Sequence, residues 1–321
     1  MVLLQSGNAY TATYASTKSI HEVSSSPTIR RPIAYRPTLK SIMASRYILV
    51  MDWDETITRA DTVHLVAEAA YQAHATSSTS PRGVPPWSDF TNAYMTDYLA
   101  YQSSFGPRTS LEKELEFLTA SATIEQVSVS RIEKAGLFKS IKAKHLQEQA
   151  AKVEIRPGFI DLIRRCRTLG VMLGIMSVNW SQVFIRSALE QKYGSCDDVP
   201  VYCNEIEFDK EGKGTGMMSC SDYVLRTGAD KAKVIKQLLA RNSGKKIVYV
   251  GDSTGDLHPL LHADIGVIMG EKKSLRETCE RVGITIKHIS LLDVASPKDG
   301  RVLYCIREWK ELLLHGPFAD K

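Results

Sequence analysis

The chain of 321 residues is 43% apolar and 24% charged, an ordinary globular balance that excludes a wholly disordered protein. No uninterrupted apolar run approaches the roughly 18 residues of a membrane span, so no membrane partner is expected. The net charge of +5 sits in residues 1–46, where Lys18, Arg30, Arg31, Arg36, Lys40 and Arg46 face Glu22 alone; the rest is balanced, and nucleic acid is not expected as a partner.

That opening segment, basic and rich in Ser and Thr, has the composition of a mitochondrial transit peptide. A disordered extension, or translation starting at Met43, accounts for it as well. The expected location is cytoplasmic, or mitochondrial if residues 1–46 are a transit peptide. Six dispersed cysteines, Cys166, Cys196, Cys203, Cys220, Cys279 and Cys305, form no C-x-x-C pair and read as reduced packing thiols.

The first strand, "YILVMDWD" from Tyr47, ends on two carboxylates, Asp52 and Asp54. Residues 62–155 follow as an insertion far longer than one crossover requires. It is mostly helical by pattern, clearest in "SLEKELEFLTA" and "SRIEKAGLFKSIKAKHLQEQAAKV", with the loop-like "ATSSTSPRGVPPWSDF" between helices, and reads as a small helical cap. The helix "PGFIDLIRRCRTL" leads to the strand "VMLGIMSV", which ends at Ser177. "VYCNEIEFDKEGKGTGMM" reads as a hairpin around a Gly-containing turn. The helix "ADKAKVIKQLLARN" opens with Lys231, and the strand "KIVYVGDS" runs into Asp252 and Asp256; "IGVIMG" and "ITIKHI" are further strands.

Near-continuous apolar strands alternating with helices predict an α/β fold: a doubly wound, mainly parallel sheet built from residues 47–61 and 156–321, with the cap at 62–155 inserted. Ligands of such sheets bind beyond the carboxyl ends of the strands, where the three reactive strand ends would share one crevice. Each group also has a plainer reading. Asp52 and Asp54 could cap a helix, Ser177 could be an N-cap, Lys231 a solvated helix lysine, and Asp256 the N-cap of the next helix. His258 and His262 read as surface or core histidines.

Together and in this order, the motifs resemble the haloacid dehalogenase-like superfamily, with its Asp-x-Asp-x-Thr, Ser or Thr, Lys, and acidic pair. The cap after the first motif and the hairpin after the second are similar to the phosphoserine-phosphatase-like branch. The resemblance implies a phosphomonoester hydrolase, with Asp52 as nucleophile and Asp54 as general acid and base. It assigns Mg²⁺ to Asp52, the main-chain carbonyl of Asp54, and Asp252. Phosphate would be held by Ser177, Lys231 and the amides of Trp53 and Val178. Asp256 would orient Lys231 or a metal-bound water, and Thr56 would fix the turn. Crowded carboxylates with only oxygen donors suit Mg²⁺ on chemical grounds too. Dehalogenases of the superfamily lack this acidic pattern.

The expected partner is a small phosphomonoester, because a closing cap excludes macromolecules; oligomeric state is open. "MSVNWSQVFIRSAL", "IVYVGDSTGDLHPLLHADIGVIMG" and "DWDETITRADTVHLVAEAA" look like the phosphatase domain of plant bifunctional proteins that hydrolyse thiamin monophosphate. That likeness implies that Asn179 and Trp180 face substrate, with Trp180 or a cap Tyr94, Tyr98 or Tyr101 stacking on a cationic heterocycle. A phosphoserine-type or methylthio-sugar phosphatase and a catalytically silent binding protein on the same fold are the alternatives.

Overall fold

A computed structural model describes residues 45–76, 83–219, 223–295 and 298–319. The expectations for the leader, for Cys220 and for part of the Ser/Thr/Pro loop lie outside the described residues.

Strand β1 (Tyr47–Met51) is an inner strand of a seven-stranded sheet that also holds β2 (Met172–Met176), β3 (Val201–Tyr202), β6 (Lys246–Gly251), β7 (Ile265–Met269), β8 (Thr285–His288) and β9 (Val302–Ile306). The order is β3-β2-β1-β6-β7-β9-β8, and every pairing is parallel. The strands are apolar throughout because both faces are covered. Leu49, Met51, Ile175, Val248 and Val250 enter one core layer, whereas Ile48, Val50, Met176, Ile247 and Tyr249 enter the other, the period-two alternation of a pleated strand. Because β2, β1 and β6 are neighbours in register, Asp52, Ser177 and Asp252 leave the sheet at one edge. Strand β9, unforeseen in the sequence, lies between β7 and β8.

Core helices are α6 (Phe159–Thr168), α7 (Gln182–Tyr193), α8 (Gly228–Arg241), α9 (Leu257–His262), α10 (Lys273–Arg281) and α11 (Trp309–His315). The insertion carries α1 (Val63–Thr76), α2 (Trp87–Phe105), α3 (Leu111–Ala120), α4 (Ala122–Ala135) and α5 (Ala143–Ala150). The long run expected as one helical segment is broken: α4 ends at Gly136, whose left-handed φ of 66° closes the helix, and α5 begins only at Ala143. The break serves the hairpin, β4 (Glu205–Phe208) with β5 (Gly214–Ser219), since Ser140 N–H donates to Gly214 O at 2.8 Å and Gly214 N–H to Ile141 O at 2.7 Å.

Besides this contact with the hairpin, the insertion meets the core at three places. Its two connections pair side by side through an antiparallel bridge, Thr58 to Ile155, and Arg156 N–H donates to Ile57 O at 2.8 Å. Helix α5 packs on α7 and on α1. Helix α3 packs on α8, with Leu111, Leu115 and Leu118 against the second core layer. There the His258 ring contacts the Thr119 hydroxyl at 3.0 Å, and buried Glu114 pairs with Arg108 at 3.1 Å and with Arg281 of α10 at 2.9 Å.

Candidate active site

The end of β1 turns sharply into residues 53–57, and Glu55 takes a left-handed φ of 57° inside that turn. Thr58 Oγ1 accepts Glu55 N–H, and the Arg156 guanidinium donates to the carbonyls of Thr56 at 3.2 Å and Glu55 at 2.7 Å. The turn is thereby fixed with Asp52 buried at its start.

Lys231, on the first turn of α8, is also buried and donates to Asp52 Oδ1 at 2.6 Å and to Asp256 Oδ1 at 2.8 Å. Its solvated reading is thereby excluded. Asp256 accepts as well from the Tyr249 hydroxyl at 2.7 Å and, through Oδ2, from the Asp252 and Ser253 amides and the Ser253 hydroxyl. It therefore both caps the short helical turn and anchors Lys231. Two glycines make room: a Cβ on Gly251 would lie 2.5 Å from the Asp256 carboxyl carbon, and one on Gly228 would lie 2.2 Å from Gly255 O. Thr56 Oγ1 donates to Asp252 Oδ1 at 3.2 Å, tying the first turn to the third motif.

Asp54 faces a second group of partners. Its Oδ1 accepts from Thr62 N–H at 2.7 Å and Thr62 Oγ1 at 2.5 Å, and its Oδ2 from Asn179 Nδ2 at 3.2 Å. The two aspartates of the motif thus work in different surroundings. Asp52, Asp252 and Asp256 place one carboxylate oxygen each within 4.8 Å of one another, and the Asp54 carboxylate is not among them. Of Asp54, only the expected main-chain carbonyl remains to meet a metal there.

Burial raises Asp52 well above the usual carboxylate range, and the charge of Asp256 adds to it against the pull of Lys231. Burial and Asp256 raise Asp252 to about 6. Burial and Asp61 raise Asp54 to about 7, against its bonds to Thr62 and Asn179. Asp256 falls below its usual value, because Lys231 and Tyr249 outweigh burial. The Lys231 ammonium and that of Lys272, 2.9 Å from Asp252 Oδ2, therefore leave the carboxylates under-compensated, and an all-oxygen donor set short of positive charge fits a hard divalent cation.

Ser177 is buried, and its Oγ accepts Asn179 N–H at 3.0 Å. It does not cap the next helix: α7 starts at Gln182, and Ser181 caps it by accepting Phe184 N–H. Val178 lines the cavity beside Asp52, a space of about 80 Å³ bounded also by Asp54, Lys231, Asp252 and Arg226. Trp53 is fully buried and its indole donates to Thr62 at 3.1 Å. Trp180 lies edge-on to Trp87 and Phe138 and lines a neighbouring chamber instead of that cavity. Of the three cap tyrosines, Tyr94 is buried with its hydroxyl on Glu125, Tyr98 stacks on it, and Tyr101 stacks on Phe117. None of the three lines either space. Tyr98 and Tyr101 pack on Phe117 of α3, and Tyr94 reaches α4 through Glu125.

Two basic residues and a tyrosine escaped the sequence reading. Lys272 donates to Asp252 Oδ2 at 2.9 Å and to Glu55 Oε2. Arg226 lines the cavity just before Lys231, and Tyr249 holds Asp256 from within β6. Lys272 follows the carboxyl end of β7, the neighbour of β6, so the strand-end rule that found the other groups was the signal for it.

A parallel sheet with an aspartate turn, a buried lysine and an acidic loop at one edge defines a class. The chain belongs to the haloacid dehalogenase-like hydrolase family, whose model matches residues 49–261. It is 26% identical to a CTO1 family protein of Schizosaccharomyces pombe, over 82% of this chain and 96% of that one. It is 25% identical to the Bifunctional TH2 protein, mitochondrial, of Arabidopsis thaliana, over 78% of this chain and 43% of that one. A solved HAD family hydrolase of Salmonella enterica subsp. enterica serovar Typhi shares the fold, with a TM-score of 0.53 at 17% identity over 84% of this chain and 70% of that one. Among the described residues no helix is long and apolar enough to cross a membrane.

Proposed function

We propose that this hydrolase is a Mg²⁺-dependent phosphatase of small phosphomonoesters, with residues 47–61 and 156–321 as catalytic core and 62–155 as cap. The observation that carries it is the buried Asp52 carboxylate, 2.6 Å from the Lys231 ammonium and clustered with Asp252 at the carboxyl edge of the sheet. A dehalogenase would have no use for that acidic cluster.

Asp52 attacks phosphorus and the ester P–O bond breaks, leaving an aspartyl phosphate. Asp54 gives its proton to the departing alkoxide, then takes one from the water that attacks the phosphoryl group and frees Asp52. Lys231, Ser177 and the amides of Trp53 and Val178 hold the phosphoryl oxygens, and Asp256 and Tyr249 keep Lys231 in place. Mg²⁺, held by Asp52, the Asp54 carbonyl and Asp252, supplies charge neutralisation when bound. Asn179 positions Asp54 and Trp180 N–H rather than substrate.

Thiamin monophosphate is the candidate ester, supported by the three sequence runs shared with the plant bifunctional proteins; phosphoserine and methylthio-sugar phosphates belong in the same comparison. The test is hydrolysis of these esters and p-nitrophenyl phosphate by wild type and Asp52→Asn, in Mg²⁺ and in EDTA. Turnover that needs Mg²⁺ and vanishes in the variant supports the reading. A folded wild type that hydrolyses none of them, and that traps no beryllium fluoride at Asp52, sinks it in favour of a silent binding protein.

A further inference from the structure

Thr62 stands where the chain leaves the turn after β1, immediately before α1, and it is buried. Its main-chain N–H and its hydroxyl both reach Asp54 Oδ1, at 2.7 Å and 2.5 Å. The same hydroxyl oxygen meets the Trp53 indole nitrogen at 3.1 Å and Asn179 Nδ2 at 3.3 Å.

The direction of the hydroxyl hydrogen follows from these neighbours. An indole N–H can only donate, and so can the nitrogen of a carboxamide. The Asn179 carboxamide cannot be turned over, because its Oδ1 accepts Trp180 N–H at 2.7 Å. Donors therefore fill both lone pairs of the Thr62 hydroxyl, and its own hydrogen is left with one acceptor, Asp54 Oδ1. Together with the Thr62 amide, that hydrogen gives Oδ1 its full complement of bonds. Asp54 Oδ2 accepts only from Asn179 Nδ2, at 3.2 Å, and keeps a lone pair open.

We infer that Thr62 is the positioning residue for the general acid and base: its hydroxyl, locked as a donor, occupies Asp54 Oδ1 and leaves Oδ2 to give up and regain the proton. The inference rests on the phosphatase reading of Asp54 and adds to it the residue that orients the carboxyl group. As the ester P–O bond breaks, the proton passes from Oδ2 to the departing alkoxide oxygen. When water attacks the phosphoryl group, Oδ2 takes its proton back from that water. Without the hydroxyl the carboxyl group can turn about its own bond, and the proton is no longer aimed at one place.

The experiment compares kcat/KM for p-nitrophenyl, phenyl and benzyl phosphate, three esters of like shape. p-Nitrophenolate departs without a proton, phenolate less readily, and the benzyl alkoxide only with one. Because kcat/KM covers the steps up to that departure, a misplaced acid shows as a steeper dependence on the leaving group and not as a uniform drop. Thr62→Val keeps the side-chain shape and the main-chain N–H. It is expected to lower kcat/KM at least about tenfold for benzyl phosphate and under about threefold for p-nitrophenyl phosphate. Thr62→Ala should repeat that split, and Thr62→Ser, which restores the hydroxyl, should return the wild-type ratio. An equal loss on all three esters, an unchanged ratio, a serine variant that behaves like valine, or loss of the fold in both the valine and alanine variants by circular dichroism overturns the inference. So does a wild type that hydrolyses p-nitrophenyl phosphate alone, since no acid then assists departure. Each of these leaves the phosphatase reading standing. A wild type that hydrolyses none of the three counts against that reading itself, and the inference falls with it.

Discussion

Lys272 completes the charge pattern around Asp252, since its ammonium lies 2.9 Å from the carboxylate and also meets Glu55. A fixed positive charge beside a proposed metal ligand repels an arriving dication. Lys272→Met is therefore expected to lower the Mg²⁺ concentration for half-maximal activity several-fold while kcat falls, because Glu55 and the turn it belongs to lose their anchor. A magnesium titration of initial rates checks this, and a raised requirement would show that Lys272 helps to build the metal site. Lys231 differs because it lies between two carboxylates, and Lys231→Met should reduce kcat/KM by at least about a hundredfold, measured against the same ester. Asp52, Asp54, Ser177, Lys231, Asp252 and Asp256 were legible from the chain because each lies in the turn after a strand or near the start of a helix. Lys272 and Tyr249 were not read: one follows the end of β7 but shares its "GEKKS" loop with Lys273, and the other reads as strand core until the sheet shows it reaching Asp256.

At the scale of elements, the site depends on how closely α8 approaches the acidic loop. A methyl group on Gly228 would lie 2.2 Å from Gly255 O, a main-chain atom that cannot swing aside. Gly228→Ala should push the start of α8 away from the loop and draw Lys231 off Asp256. Activity is expected to fall by at least about a hundredfold while far-ultraviolet circular dichroism stays native; near wild-type rates would mean that the helix start adjusts freely. The parallel strands were easy to read, being apolar runs ended by polar groups. Strand β9 was missed because "VLYCI" carries no reactive group at its end. The break after α4 was missed because its periodic pattern continues across Gly136, and only the hairpin lying against residues 138–141 explains why the chain leaves the helix there.

For the molecule as a whole, Glu114 is the clearest load on stability. Its carboxylate is buried between Arg108, which also lies 3.9 Å over the Phe117 ring, and Arg281 across the gap to the core. Glu114→Ala leaves two guanidinium groups without their shared partner, but both retain some access to water. The expected loss is about 1–3 kcal/mol in unfolding free energy, read from urea titrations. A loss well below that range would mean that the arginines re-solvate at no cost. The insertion was legible as helical and as an interruption between the first and second strands. Its attachment was not, because the pairing of Thr58 with Ile155 and of Glu114 with Arg281 joins positions far apart in the chain.

That attachment bears on how anything enters or leaves. A structure tied down at its paired connections, along α5 and again along α3 behaves like an arch rather than a door. It can flex at the crown but has no free edge to lift. Even its crown, α4 and residues 139–141, is bonded to the hairpin, through Glu133 with Met218 N–H and through Ser140 and Ile141 with Gly214. Staples across the feet of such an arch would be nearly silent, since they bind what is already bound.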